Sequence, residues 1–262
     1  MSDFIEWYLI VPALLAGTII LLTHIPLGSE VLKRGIIFID LALAQLAALG
    51  IVIASTLYSH FHPFHIELIA LMGALTGAIG IALLERYYPN HIEALIGLIF
   101  VLASTASMIL ISFSAGGDKL LHQLLLGQIL WVTTEQLIPI GVISLLTLII
   151  WSFYPKPYPN YLFYILFSIA VTLSVQLVGL YLVFASLIIP ALTVRSYPFR
   201  RPFLNHLFPF LIGFFGYLTG IILSLVFDLP TGAIIVWAMT LLALISYLFR
   251  SVMIKKDHRH QS

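Results

Sequence analysis

The sequence predicts an all-α, polytopic membrane protein with eight or nine transmembrane helices. Three observations lead there. Of its 262 residues, 61% are hydrophobic and only 9% are charged, against about 25% charged in soluble domains. The mean hydropathy is +1.10. The apolar residues gather into runs close to the ~20 that a helix needs to cross a bilayer, and charges and prolines separate these runs.

The first run, residues 8–27, follows a start that holds Asp3 and Glu6 and no basic residue. A cleavable signal peptide begins with positive charge, so this run is expected to remain as a span. Further runs at 36–58, 66–84, 92–113, 137–153, 161–177, 180–194, 207–227 and 233–249 make nine. The 180–194 run is short and interrupted by Pro190, which leaves eight full crossings as the alternative. Positive-inside bias places the C-terminal end, with Arg250 and then Lys255, Lys256 and Arg259 of the basic tail 251–262, in the cytoplasm. With nine crossings, Lys33/Arg34, Arg86, Lys156 and Arg195/Arg200/Arg201 then share that side, and only Lys119 falls outside. The N-terminus faces out.

No linker or low-complexity segment interrupts the chain, so one transmembrane domain over 1–262 is expected, with 251–262 as a solvated tail. The Tyr-Pro-Lys-Pro-Tyr-Pro stretch at 154–159 reads as a stiff, extended connection. Gly73, Gly77 and Gly80, and likewise Gly213, Gly216 and Gly220, recur at about one-turn spacing, the pattern that lets helices approach closely.

Several function classes drop out. A net charge of +1 without a basic stripe offers nothing to neutralise phosphates of nucleic acid. Zero cysteines exclude disulfides, thiolate ligands and thiol catalysis. There is no GxSxG, no HExxH and no phosphate-binding loop, so the chain is not read as an enzyme or as an ATPase itself.

What remains is polar chemistry inside apolar runs. Asp40 and Gln45 lie in GIIFIDLALAQLAALG, residues 35–50, directly after Lys33 and Arg34. A carboxylate facing lipid costs about 2.5 kcal/mol or more. Asp40 must therefore face other helices, water or a cation, unless it snorkels to the headgroups or pairs with a neighbour. The two residues sit about 500° apart around a helix, and an unbroken helix puts Asp40 about 9 Å of rise beyond Arg34. Near the expected outer face, His60, His62, His65 and Glu67 surround Pro63. Imidazole and carboxylate suit zinc, iron or manganese, while a polar interfacial turn explains the same residues. His91 and Glu93 open the fourth run, where an acid favours the helix dipole. Asp118 and His122 stand one turn apart before Gln128, Asp228 opens a tight turn, and His24 is either interfacial or lines a path.

Five segments carry a family likeness. They are His24-Ile-Pro-Leu-Gly-Ser29 with Lys33-Arg34, Glu93-Ala-Leu-Ile-Gly97, and LLLGQILWVT at 124–133 with Glu135. The other two are Val178-Gly179 followed by Ser186-Leu-Ile-Ile-Pro190-Ala191 and Arg195, and Phe227-Asp228-Leu-Pro230-Thr-Gly232. In these the chain resembles the membrane-spanning permease subunits of ABC importers for zinc, manganese and related metals. The resemblance implies a type II importer permease fold, like that of vitamin B12 and metal permeases, in a bacterial cytoplasmic membrane. It also implies a homodimer, cytoplasmic ATPase subunits that bind ATP, an external metal-binding protein, and a divalent metal ion as cargo, with no cofactor in this chain.

There are departures from the family pattern. Relatives place an Asp and a His one turn apart in the second helix; this chain has Leu41 and Gln45 there, with Asp40 displaced by one residue. Val101 stands where some zinc members carry a second His, and Gln128 replaces an Asp. Relatives also carry a longer cytoplasmic segment after the fifth helix, holding the helix that docks on the ATPase. Here Arg195, Arg200 and Arg201 are the candidates for that contact. The expected function is ATP-driven import of zinc or manganese, with Asp40 and Gln45 lining the path and His60, His62 and His65 as outer metal residues. A non-transporting scaffold or regulatory paralogue, or an ion-coupled secondary transporter, are the alternatives.

Overall fold

A computed structural model of the chain describes residues 2–57, 63–113, 127–154, 160–195, 201 and 203–259. Among the described residues there is no strand, and nine helices follow one another. They are α1 (Ser2–Arg34), α2 (Ile39–Leu57), α3 (Pro63–Tyr87), α4 (Ile92–Ile111), α5 (Thr134–Phe153), α6 (Asn160–Val178), α7 (Leu180–Arg195), α8 (Leu204–Phe227) and α9 (Thr231–Arg259). Each carries one of the nine apolar runs. Seven are long and apolar enough to cross a membrane, and α2 and α7 are shorter. Within lipid every backbone polar group needs an internal partner. Hydroxyls follow the same rule by bonding their own helix, as Thr18 Oγ1 does to Leu14 O at 2.7 Å and Ser107 Oγ to Ala103 O at 2.9 Å.

The 16 residues of α7 span about 24 Å, less than a ~30 Å hydrocarbon core. Yet α7 runs from the corner at Gly179 to a point beside Arg250, whose Nη1 donates to Thr193 O at 3.2 Å. The end of α7 therefore lies with the end of α9, as nine alternating helices require.

α1 stops at Gly35, whose φ of +70° suits a glycine, and whose N–H bonds Val31 O at 3.0 Å. The chain turns over 35–38 before α2 begins at Ile39. The expectation of an unbroken rise from Arg34 to Asp40 is thus corrected: Asp40 sits in the first turn of a new helix, at the same end as Arg34.

Of the seven long apolar helices, α6 is the most buried. In its apolar stretch 67% of residues are buried, against 11% in α5, which turns most of its surface outward. α6 packs on α2 and α3, α1 lies against α7 and α8, and α8 against α9. A Cβ on Gly216 would stand 2.8 Å from Met239, and Gly213 faces Leu21 of α1 and Gly220 the backbone of Ile235. Gly73 meets Leu46 O of α2 at 2.7 Å, and Gly77 meets the Leu46 side chain. Gly80 departs from the expectation, with nothing within 4 Å of its Cβ position.

One polar knot ties three helix ends together. Arg34 donates from Nε to Glu30 Oε1 at 3.1 Å and from Nη1 to Asn160 Oδ1 at 3.1 Å. Its Nη1 also lies 3.8 Å from Glu85 Oε1, and its guanidinium stands 4.5 Å from the centre of the Phe163 ring. Asn160 Nδ2 completes the loop to Glu85 Oε2 at 2.8 Å. The ends of α1 and α3 and the start of α6 are therefore neighbours, at what we term the basic end of the bundle.

Candidate translocation site

Asp40 is 1% exposed and Gln45 6% exposed, both on α2. Among the described residues no close hydrogen bond reaches either oxygen of Asp40, and its nearest donors are the backbone N–H groups of Asp40 and Leu41 that open α2. The side chain does not snorkel to the headgroups and forms no salt bridge there; it is turned into the protein. Its helix face is set by the period of 3.6: Leu43, Ala44 and Ala47, on the same side, are buried as well.

Gln45 lies on a second face of α2. With Phe38 and Leu41 it lines a cavity of about 700 Å³ whose other walls come from α4, α7 and α9. The lining is mostly apolar. Besides the Gln45 amide it carries the hydroxyls of Ser104 of α4 and Tyr181 of α7, and Trp237 of α9 stands 66% exposed at its edge. The expected pair is thus split: Gln45 reaches the cavity, while Asp40 sits behind Phe38 and Leu41, the cavity residues that flank it in sequence.

Glu93, read from sequence as a helix-start acid, has a further contact. Its Oε1 accepts the Phe38 backbone N–H at 3.3 Å, so α4 holds the corner that leads into α2. Its Oε2 is buried and has no hydrogen-bond partner among the described residues. Under the nine-span topology Glu93 and Asp40 share an end, which was the available signal for this contact. Nothing in the apolar runs marked Phe38, Ser104, Tyr181 or Trp237 as cavity residues.

His24 is fully buried, with Nδ1 3.1 Å from Thr23 Oγ1, so the interfacial reading of it is corrected. Pro63 opens α3 rather than a turn, which puts His65 and Glu67 on the first turns of a helix, both exposed. His60 and His62 lie outside the described residues, as do Lys119, Asp118, His122, Lys156 and Arg200. Among the described residues no three His, Asp or Glu side chains gather in a way that holds a metal ion. Arg195 and Arg201 are exposed at the basic end. Asp228 caps α8 in the left-handed region (φ 52°), and Ser224 Oγ bonds Leu229 O and Thr231 Oγ1 at 2.7 and 2.6 Å, which is turn chemistry. Val178 and Gly179 pack directly on Gly127, where any side chain would strike their backbone.

Two segments, 6–159 and 157–250, match the model of the ABC 3 transport family. The chain belongs to the ABC 3 transport family. This member is 25% identical over 242 residues to the manganese transport system membrane protein MntC of Halalkalibacterium halodurans, covering 85% of this chain and 81% of that protein. Its fold is similar to a chain of PsaBC from Streptococcus pneumoniae in complex with Fab, with a TM-score of 0.71 at 21% identity over 90% of both chains. It is also similar to an inward-facing structure of the metal-chelate type of ABC transporter, with a TM-score of 0.66 at 18% identity, over 94% of this chain and 85% of that one. At such identities the two structures speak for the fold, which is that of a polytopic helical permease. The match runs across the α6–α7 corner and the α8–α9 turn, where the sequence likeness was sharpest.

Proposed function

We propose that the chain is the permease subunit of an importer for a divalent metal ion, manganese or zinc, driven by ATP on a separate subunit. The observation that carries this is the placement of Gln45 in a mostly apolar cavity between α2, α4, α7 and α9, one helix face away from the buried Asp40. A metal crossing such a site exchanges water for a few weak oxygen ligands and can leave again. Membership in the ABC 3 transport family and the likeness to a manganese transport protein support the cargo class.

In this reading the apolar cavity face, with Trp237 and Tyr181 exposed beside it, meets a second copy of the chain in the membrane. The assembly sits in the bacterial cytoplasmic membrane and receives its ion from an external binding protein, with His60, His62 and His65 at the outer face. Arg195, Arg200 and Arg201 meet acidic groups of the ATPase at the basic end. ATP binding by that partner shifts the population between inward- and outward-open forms. The chain performs no bond chemistry.

Affinity purification from the native membrane tests this. The expected result is an ATPase subunit in stable complex, its turnover stimulated by the metal-loaded binding protein. Metal movement in liposomes without nucleotide would instead identify an ion-coupled carrier. Absence of both partner and movement would identify a scaffold.

A further inference from the structure

We propose that the groove between α1, α5 and α8 at the basic end is a binding site for one anionic phospholipid, with an acyl chain in the groove and the phosphate at its rim. This goes beyond the proposed function and needs only that the chain sits in a membrane.

The groove has a volume of about 570 Å³, within the range of small-ligand sites. Its floor is Leu21 and Ile25 of α1, both buried, and Leu148 of α5 and Phe210 of α8 stand in its walls. It runs along α8 from Phe203, the N-cap, to Phe210, over which the helix rises about 10 Å. Since α5 turns most of its surface outward, a groove walled by α5 opens on the outer surface of the bundle.

Its polar groups collect at one end. Ser152, at the end of α5, and His206, in the first turn of α8, both line the groove and are both exposed. Trp151 beside them fixes the level: its ring lies 6.1 Å from that of Phe163, which carries the Arg34 guanidinium at 4.5 Å. Indole rings gather at the membrane–water boundary. An apolar floor that ends in a polar rim at this level matches a phospholipid, whose chain covers Leu21 and Ile25 while its headgroup meets the rim. A free phosphate leaves that floor bare.

Charge selects an anionic headgroup. Arg201 is exposed and stands two residues before Phe203, so its backbone is within about 7 Å of the rim. A guanidinium grips phosphate through a two-pronged fork and keeps its charge. Among the described residues none that lines the groove is an acid, and Glu30 and Glu85 at this end are engaged with Arg34 and Lys33. Basic pockets between transmembrane helices on the cytoplasmic side hold anionic headgroups for the same reason. An arginine at the boundary can serve a headgroup and an ATPase acid in turn, and the isolated chain reads the lipid alone.

Of the four tryptophans, Trp7, Trp131, Trp151 and Trp237, only Trp151 lines this groove, which makes it a local reporter. The test is quenching of its fluorescence in the full-length chain carrying Trp7→Phe, Trp131→Phe and Trp237→Phe. The chain is reconstituted in phosphatidylcholine vesicles that hold a small fraction of phosphatidylglycerol with brominated chains or, for comparison, of brominated phosphatidylcholine. Phosphatidylglycerol should be preferred about fivefold at Trp151, and the preference should fall to about parity in Arg201→Gln. Leu148→Phe, which fills the groove, should lower quenching by phosphatidylglycerol to the level of phosphatidylcholine, and unchanged melting of both variants confirms the fold. A preference that survives either substitution overturns the proposal. So does equal quenching by the two lipids; if adding the ATPase then removes both signals, the groove belongs to that partner. No nucleotide or metal enters the measurement, so its failure is distinct from failure of the transport reading.

Discussion

Arg34 Nη1 donates to Asn160 Oδ1 at 3.1 Å, joining residues 126 positions apart. The last turn of α1 is thereby fastened to the first residue of α6, the most buried of the seven long apolar helices. Arg34 is only 14% exposed in its side chain, and its partners Glu30 and Glu85 are 19% and 18% exposed.

Removing the guanidinium leaves Glu30 to Lys33, at 3.7 Å, and Glu85 to the Asn160 amide, at 2.8 Å, with the fork that joined them gone. Arg34→Ala should destabilise the chain by about 2–4 kcal/mol, and thermal unfolding in detergent measures it. Arg34→Lys should recover less than half of that. A lysine is a point charge that cannot serve Glu30, Glu85 and Asn160 through one planar fork or stack equally on Phe163.

The glycines give a paired prediction. A Cβ on Gly28 runs into the carbonyl of Leu187, which is backbone and cannot swing aside. Gly28→Ala should therefore cost about 1–3 kcal/mol. Gly80 has open space at its Cβ position. Gly80→Ala should be neutral or stabilise by up to about 1 kcal/mol through helix propensity. The comparison is made by melting temperature of the two variants in the same detergent.

Much of this architecture was legible in the sequence. All nine runs became helices because in lipid the apolar run and the satisfied backbone coincide. The charge pattern also placed Arg34, Arg86 and Arg250 at one end, and the Arg34–Glu85 and Arg250–Thr193 contacts agree with it. The α1–α2 corner was missed because Ile36, Ile37 and Phe38, after Gly35, are apolar enough to read as the opening of the next span. Gly80 was misread because small residues mark close packing only where another helix lies opposite, which spacing does not reveal. The splitting of Asp40 from Gln45 was half visible, since 500° places them on different faces, but which face met the cavity depended on α4, α7 and α9. The roles of Phe38, Tyr181 and Trp237 left no trace in their surroundings.

Asp40 carries a stability consequence of its own. A carboxylate buried with only the backbone N–H groups at its helix start beside it opposes folding, so with metal chelated Asp40→Asn should stabilise the chain by about 1–2 kcal/mol, or about 3–6 °C in melting temperature. The same variant should lose transport, the exchange of function for stability expected where a strained group serves a ligand. A drop in melting temperature would show that the charged side chain supports the fold instead.

The most direct test is metal accumulation by cells or vesicles holding the chain with its ATPase, comparing wild type with Asp40→Ala at equal amounts in the membrane. ATP-dependent uptake of manganese or zinc in the wild type, abolished in the variant, is the predicted result. Uptake by Asp40→Ala at the wild-type rate would contradict the claim that the ion passes this residue.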